Sequence, residues 1–428
     1  LDMLKAAGAN IVEFDEKADI YIVNTCSVTN IADKKSRQML HRARKMNPDG
    51  IVIAAGCYVQ SAREILEQDE AIDIVISNNK KKSITEIVND YINVRNNGKN
   101  APGKDHEAME YFVDISRETE YEEMGGHVPV GHTRAYVKIQ DGCNQFCSYC
   151  IIPYVRGRIR SRSQEAILAE VSELAEAGIK EVVLTGIHIS SYGKDKNNEG
   201  ALIELIEAIS KIKGIKRIRL GSLEPGIITE EFVERISSNS KVCPHFHLSL
   251  QSGCDSVLKR MNRKYTCKQY FEKCDMLRKA YKSPALTTDV IVGFPGETEE
   301  EFAETVRYLT ELNLYEMHIF KYSPRKGTVA AAMKEQVAPE IKNERSDVLL
   351  KLAHDNKTAY EAQFEGCELE VLVEEVVKKD NKTYLRGHTE RYMDILIDVG
   401  DISMPESFVN SFVYVTYTQN GGNLPLLL

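Results

Sequence analysis

The chain has 428 residues, 43% of them apolar and 28% charged, with a formal net charge of −9. That is an ordinary globular balance with material for two or three domains, and it exerts no global pull on nucleic acid, so any RNA contact must come from local basic patches. No run nears the ~20 apolar residues of a membrane span, and no signal peptide is expected, so ten cysteines predict a reducing, cytoplasmic setting and no disulfide framework.

Taken in chain order, residues 1–95 alternate strand and helix. Leu4–Ala7 reads as a helix tail closed by Gly8, and Ile20–Val23 as a strand ending in Asn24-Thr25-Cys26. A helix follows from about Thr29 to Met46, stopped by Asn47-Pro48. Ile51–Ala55 is the next strand, ending in Gly56-Cys57, then come a strand at Ile72–Ile76 and a helix at Ile84–Val94. Such alternation implies a parallel sheet. Cys26 and Cys57 each fall just past a strand's C-terminal end, where open α/β sheets place ligands, so two thiols should face one crevice.

Residues 96–131 read as a linker with one strand expected near Tyr111–Val113. A second alternation follows, with strands expected at Arg134–Ile139, Glu181–Thr185, Lys216–Leu220, Phe246–Leu250, Leu286–Val292 and Glu316–Tyr322. The recurrence suits βα units of a barrel, and six units fit a partial, open (β/α)6 barrel. A helix capped by Ser161 or Ser163 and closed by Gly178 carries the apolar stripe Ile167, Val171, Leu174 and Ala175. Residues 325–362 read as a helical connection. From 363 to 428 short β runs suggest a small all-β barrel. The fold class is therefore α/β, with domains expected at 1–95, 132–362 and 363–428.

The run Asp141-Gly-Cys-Asn-Gln-Phe-Cys-Ser-Tyr-Cys150 carries most of the chemistry. Three thiols in a C-x3-C-x2-C spacing can grip one soft metal centre but leave it one ligand short. A structural zinc site would close with a fourth Cys or His, and residues 151–187 hold neither. A cluster bound by three cysteines keeps one iron open for a small molecule. The run resembles the signature of the radical S-adenosylmethionine (SAM) enzymes, in which that iron chelates SAM. For SAM the strand ends offer Ser222 and Glu224 in Gly221–Pro225, Ser249 and Gln251, Asp289, and Gly293 in Gly293-Phe-Pro-Gly-Glu297; the resemblance adds Tyr149 beside the last thiol. Arg156, Arg158, Arg160 and Arg162 alternate after the thiols, so an extended segment would present them on one side for RNA. Lys34, Arg37, His41, Arg44 and Lys45 form a second basic stripe on the helix from Thr29.

The three-part layout resembles the methylthiotransferases of the radical SAM superfamily. The stretches Asn24–Arg37 and Leu184–Gly193 are similar to the branch acting on N6-threonylcarbamoyladenosine (t6A) of tRNA, at position 37 beside the anticodon. The resemblance implies two [4Fe-4S] clusters and SAM as cofactors. Cys143, Cys147 and Cys150 would hold the SAM-cleaving cluster and act in catalysis, and Cys26 and Cys57 would be two of three auxiliary-cluster ligands. The third would fall upstream of Leu1, and the non-Met start leads us to expect a further segment there. In the implied chemistry one SAM methylates a sulfur at the auxiliary cluster, and the radical from a second SAM opens C2 of the adenine to that sulfur. The implied partners are the tRNA anticodon loop, an electron donor such as flavodoxin or ferredoxin, and a sulfur donor. The tail would be a TRAM barrel that helps bind RNA, although residues 365–428 hold eleven Asp or Glu against five Lys or Arg. Two alternatives keep the chemistry and change the substrate, to isopentenyladenosine in tRNA or a ribosomal-protein aspartate. A third, a zinc-stabilised RNA-binding module, predicts zinc and no iron.

Overall fold

A computed structural model describes residues 2–96, 111–125, 133–380, 382–400, 404–419 and 421–423. Most of the expected linker, and the closing run 424–428, lie outside the described residues. The chain forms two compact units, one from the described residues of Leu1–His127, Asp141–Arg160 and Ser323–Ala332, the other from those of Val128–Gln140, Ser161–Tyr322 and Met333–Leu428.

In the first unit the order is α1 (Asp2–Ala6), β1 (Ile20–Thr25), α2 (Asn30–Met46), β2 (Ile51–Gly56), α3 (Cys57–Glu67), β3 (Ile74–Ile76) and α4 (Ile84–Asn96). The strands are parallel in the order β1-β2-β3. β2 is buried along its whole length because both of its faces are covered. Val52, Ala54 and Val75 pack against Leu40, Ala43 and Val59, while Ile53, Ala55 and Ile74 pack against Ile87, Val88 and Tyr91. Thr29 Oγ1 accepts the Ala32 N–H at 3.2 Å to start α2, which ends at the extended Asn47 before Pro48. The third strand starts later than the pattern predicts because Asp73 turns inward, taking the Val52 N–H at 2.7 Å and the Arg44 guanidinium. Tyr111–Val113 forms no strand. Its backbone exchanges hydrogen bonds with Ser77 instead, at 3.2 Å each.

The chain continues through β4 (Arg134–Asp141), α5 (Ile152–Val155), β5 (Arg160–Ser161), α6 (Gln164–Glu176), β6 (Glu181–Gly186), α7 (Ala201–Ser210), β7 (Arg217–Leu220), α8 (Glu230–Ser237), β8 (His245–His247), α9 (Asp255–Arg260), α10 (Cys267–Ala280), β9 (Ala285–Val292), α11 (Glu299–Leu312), β10 (Glu316–Lys321) and α12 (Pro339–Ala362). In the second unit the parallel strands run β4-β6-β7 and β8-β9-β10, joined through the bridges Ile218↔Val242 and Leu223↔Leu248. This is the partial (β/α)6 barrel that the six-unit pattern predicts. Val137, Leu184, Ile218, Leu286 and Val290 face the helices. By strand alternation the intervening residues, among them Arg219, His247, Asp289 and His318, face the concave interior.

A closed five-stranded barrel completes the second unit: β11 (Glu368–Lys379), β12 (Lys382–Thr389), β13 (Asp394–Asp398), β14 (Phe412–Thr418) and β15 (Gly421–Asn423), in the order β11-β12-β13-β15-β14. Val371, Val373, Leu385, Ile395, Ile397 and Val415 fill it. It docks under β7, where Arg217 donates to the Glu370 and His388 carbonyls and Arg219 to those of Glu390 and Thr389, at 3.0 to 3.3 Å.

Candidate functional site

Thr25 and Gly56 are register partners of the parallel β1–β2 pair, so Cys26 and Cys57 leave the sheet side by side at its C-terminal end. Cys26 is exposed, whereas Cys57 is 7% exposed as the first residue of α3 and packs on Ile151 and Val155. The Cys57 sulfur accepts from Arg156 Nε at 3.1 Å and from Asn78 Nδ2 at 3.8 Å. A guanidinium, an amide and a helix N-terminus therefore converge on one sulfur, partners suited to a sulfur carrying negative charge, as a metal-bound one does.

The three-thiol loop is shaped by its own backbone. Gly142 sits at φ 71°, and a Cβ there would collide with the Arg158 carbonyl. The Cys143 N–H donates to the Gly157 carbonyl at 3.0 Å and the Cys150 N–H to the Cys147 carbonyl at 2.9 Å. The Gln145 N–H points at Cys143 Sγ, 3.4 Å away. All three thiols are half-buried. Soft donors of one type, one of them already receiving an N–H, fit an iron–sulfur cluster.

One segment touches the neighbours of both sets of thiols. Arg325 donates to Ser27 Oγ at 2.9 Å and Asn30 Oδ1 at 2.6 Å and pairs with Asp33 at 2.5 Å. Five residues on, the Ala330 N–H donates to the Ser148 carbonyl at 2.8 Å. The neighbours of Cys26 and Cys147 are thus held by the same short stretch. Sequence reading missed Arg325, which has no motif around it.

The four arginines do not form one face. Arg156 ends α5, where Nε meets Cys57 and Nη1 lies 3.3 Å from Asp141. Burial opposes its charge, but Asp141 and Cys57 together hold its pKa above the ordinary value. Gly157 then turns the chain at φ 72°. Arg160 is 1% exposed, and the buried Arg162 pairs with Glu170. Arg158 alone of the four is exposed, its guanidinium 4.5 Å from the Phe146 ring. On α2, Lys34, Arg37 and Lys45 are exposed, while Arg44 is committed to the fold through Asp73 and the Gly50 carbonyl, 2.7 Å away.

In the second unit the strand ends bring part of the expected SAM set together. Ser222 and Ser249 hydroxyls lie 2.8 Å apart. Glu224 receives Arg263 at 2.8 Å, with His188 Nε2 at 3.7 Å. Burial would raise the Glu224 pKa, but His188 and Arg263 hold it below the usual carboxylate range. Arg263 also donates to the Ser249 carbonyl at 3.0 Å, and Tyr265 OH to the same oxygen at 2.5 Å. Gln251 is a non-glycine residue at φ 77°, held by backbone bonds of 2.9 Å to Asp289 and from Ile291. Such strain, on the order of 1–3 kcal/mol, concentrates at functional positions. Gly293, at φ 69°, is accounted for differently: the Lys342 stem fills the space of its missing side chain. Of the residues that reading the sequence overlooked, His188 lies within the family-like Leu184–Gly193 stretch, whereas Arg263 and Tyr265 carry no local signal.

Comparison with known proteins agrees with this chemistry. The radical SAM superfamily profile matches residues 137–309, and that of an uncharacterized protein family, UPF0004, matches residues 1–77. The threonylcarbamoyladenosine tRNA methylthiotransferase MtaB of Bacillus subtilis is 39% identical over 92% of this chain and 85% of its own. The tRNA-2-methylthio-N(6)-dimethylallyladenosine synthase of Thermoanaerobacter pseudethanolicus is 36% identical over 97% of this chain and 86% of its own. In fold, the chain is similar to the radical SAM methyltransferase TsrM of Kitasatospora setae, with a TM-score of 0.55 at 14% identity over 74% of this chain and 64% of that one. No described helix is long and apolar enough to cross a membrane. The chain therefore belongs to the methylthiotransferase family of radical SAM enzymes, which work with S-adenosylmethionine and [4Fe-4S] clusters, and within it resembles the MtaB branch.

Proposed function

We propose that the chain converts t6A at position 37 of tRNA to its 2-methylthio derivative in the cytoplasm. The observation that carries this reading is the gathering of two thiol sets, Cys26 with Cys57 and Cys143 with Cys147 and Cys150, in one compact unit. Methylthio transfer needs two clusters, and SAM cleavage alone needs one. The MtaB name borne by relatives in Bacillus subtilis, Aquifex aeolicus and Thermotoga maritima favours t6A over isopentenyladenosine.

When bound, the clusters and SAM supply the sulfur, the methyl group and the radical that attack the adenine C–H. The chain's own residues hold and orient. Cys143, Cys147 and Cys150 grip the SAM-cleaving cluster, and Cys26 and Cys57 contribute to the auxiliary one. Tyr149, Ser222, Glu224, Ser249, Gln251, Asp289 and Gly293 are the proposed SAM contacts, with Arg263 keeping Glu224 ionised and Ser249 in place. Arg158, Lys34 and Arg37 are left to meet RNA phosphates and splayed bases. We place the domain limits near residues 95, 131 and 362. An electron donor such as flavodoxin or ferredoxin and a separate sulfur donor complete the cycle.

Two measurements test the reading. Replacing Cys143 by Ala should remove about four irons per chain from anaerobically reconstituted protein; zinc without iron would sink it. Nucleoside profiling of tRNA from cells lacking the gene should show 2-methylthio-t6A lost and 2-methylthio-isopentenyladenosine unchanged, and the reverse pattern would move the substrate to the dimethylallyladenosine branch.

A further inference from the structure

Three adjacent strands of the partial barrel each aim one ligand-type side chain at the same point. His247 on β8, Asp289 on β9 and His318 on β10 present ligand atoms all within 4.8 Å of one another. Backbone register makes this possible: Asp289 and His318 are direct partners, and His247 pairs with Thr287, one pleat before Asp289 on the same face. The His247 Nε2 approaches Asp289 Oδ2 to 3.3 Å, and the two imidazoles stack with centroids 5.7 Å apart and planes 21° apart. Among the described residues the Asp289 carboxylate accepts no hydrogen bond beyond this approach of His247. The other His247 nitrogen, Nδ1, lies 3.0 Å from Thr287 Oγ1. That partner orients the ring and leaves Nε2 directed at the cluster, the outer-shell arrangement that metal-bound histidines use.

We infer that His247, Asp289 and His318 form a site for a divalent first-row ion, separate from the thiol sites. Two neutral imidazoles and one carboxylate are the donor set such ions take, in a three-point face that leaves coordination positions open. Soft thiolate clusters have no use for these hard and borderline donors. The open positions point into the concave interior, where they suit an oxygen ligand such as a carboxylate, hydroxyl or phosphate. The inference rests on the second unit alone and stands whichever nucleoside is the substrate.

Zn²⁺ is the probe. Full-length protein, loaded with its clusters and dialysed against Zn²⁺, should retain one zinc more than the His318→Ala and His247→Ala variants. His318 is exposed, so that variant should keep its circular dichroism and iron content, which separates a lost site from a lost fold. Thr287→Val keeps all three ligands and should weaken the additional zinc roughly tenfold. X-ray absorption should give that zinc a shell of nitrogen and oxygen. Equal zinc in the parent chain and both histidine variants, or a sulfur shell for the zinc that differs, overturns the inference.

Discussion

Arg156 and Arg158 stand two residues apart in sequence and have opposite surroundings. The first is bound between Cys57 and Asp141, the second is exposed over an aromatic ring. Arg156→Gln should cost about 2 kcal/mol in chemical denaturation, since it strips a charged hydrogen bond from a buried carboxylate. Arg158→Ala should fall within about 0.5 kcal/mol of the parent and weaken tRNA binding in a salt-dependent way, which filter binding at two ionic strengths would read. Alternation in the sequence suggested one basic face. It was undone by Gly157, whose positive φ turns the segment so that its sides are not those of an extended strand. Gly142 is the converse case. Its neighbours Asp141 and Cys143 were legible, but the need for a glycine is visible only where the Arg158 carbonyl crosses it. Gly142→Ala should release the SAM-cleaving cluster, read as about four irons lost per chain.

At the scale of elements the strand pattern was a good guide and its ends were not. β8 was expected over Phe246–Leu250 and spans His245–His247, because beyond it Leu248 and Gln251 form only isolated bridges to neighbouring strands. The helix starts carry clearer signals. Thr298 and Glu301 cap α11 reciprocally, and Glu301 also takes a two-point contact from Arg260 at 2.8 and 2.6 Å. Chiefly through Arg260, its pKa is lowered from 4.5 to about 2. A carboxylate with a depressed folded pKa stabilises fully above its unfolded value and loses that contribution as pH falls through the folded one. Thermal stability of the parent chain should therefore decline between pH 4.5 and 2 more steeply than that of Glu301→Gln, which starts lower and lacks this titration. A scan of melting temperature against pH decides it.

For each unit as a whole, the core was legible and the polar fastening was not. Glu181 and Arg219 both lie on strands that the pattern located, yet their burial under the C-terminal barrel could not be read from periodicity, since partners such as the Glu390 carbonyl come from 171 residues away. Arg219→Ala should cost about 3 kcal/mol in urea denaturation, because it strips both of its hydrogen bonds from the buried Glu181 carboxylate and leaves it only Arg217, 3.8 Å away. The five-stranded barrel has its own consequence. Its strands pair all the way round, β15 closing the ring between β13 and β14, so the backbone groups that an open sheet would offer at its margins are consumed internally. A visiting peptide cannot extend this sheet by adding a strand. Whatever docks on the domain has to read side chains and loop tips, and its grip will change with surface charge and dissolved salt far more than with any proline placed along a strand.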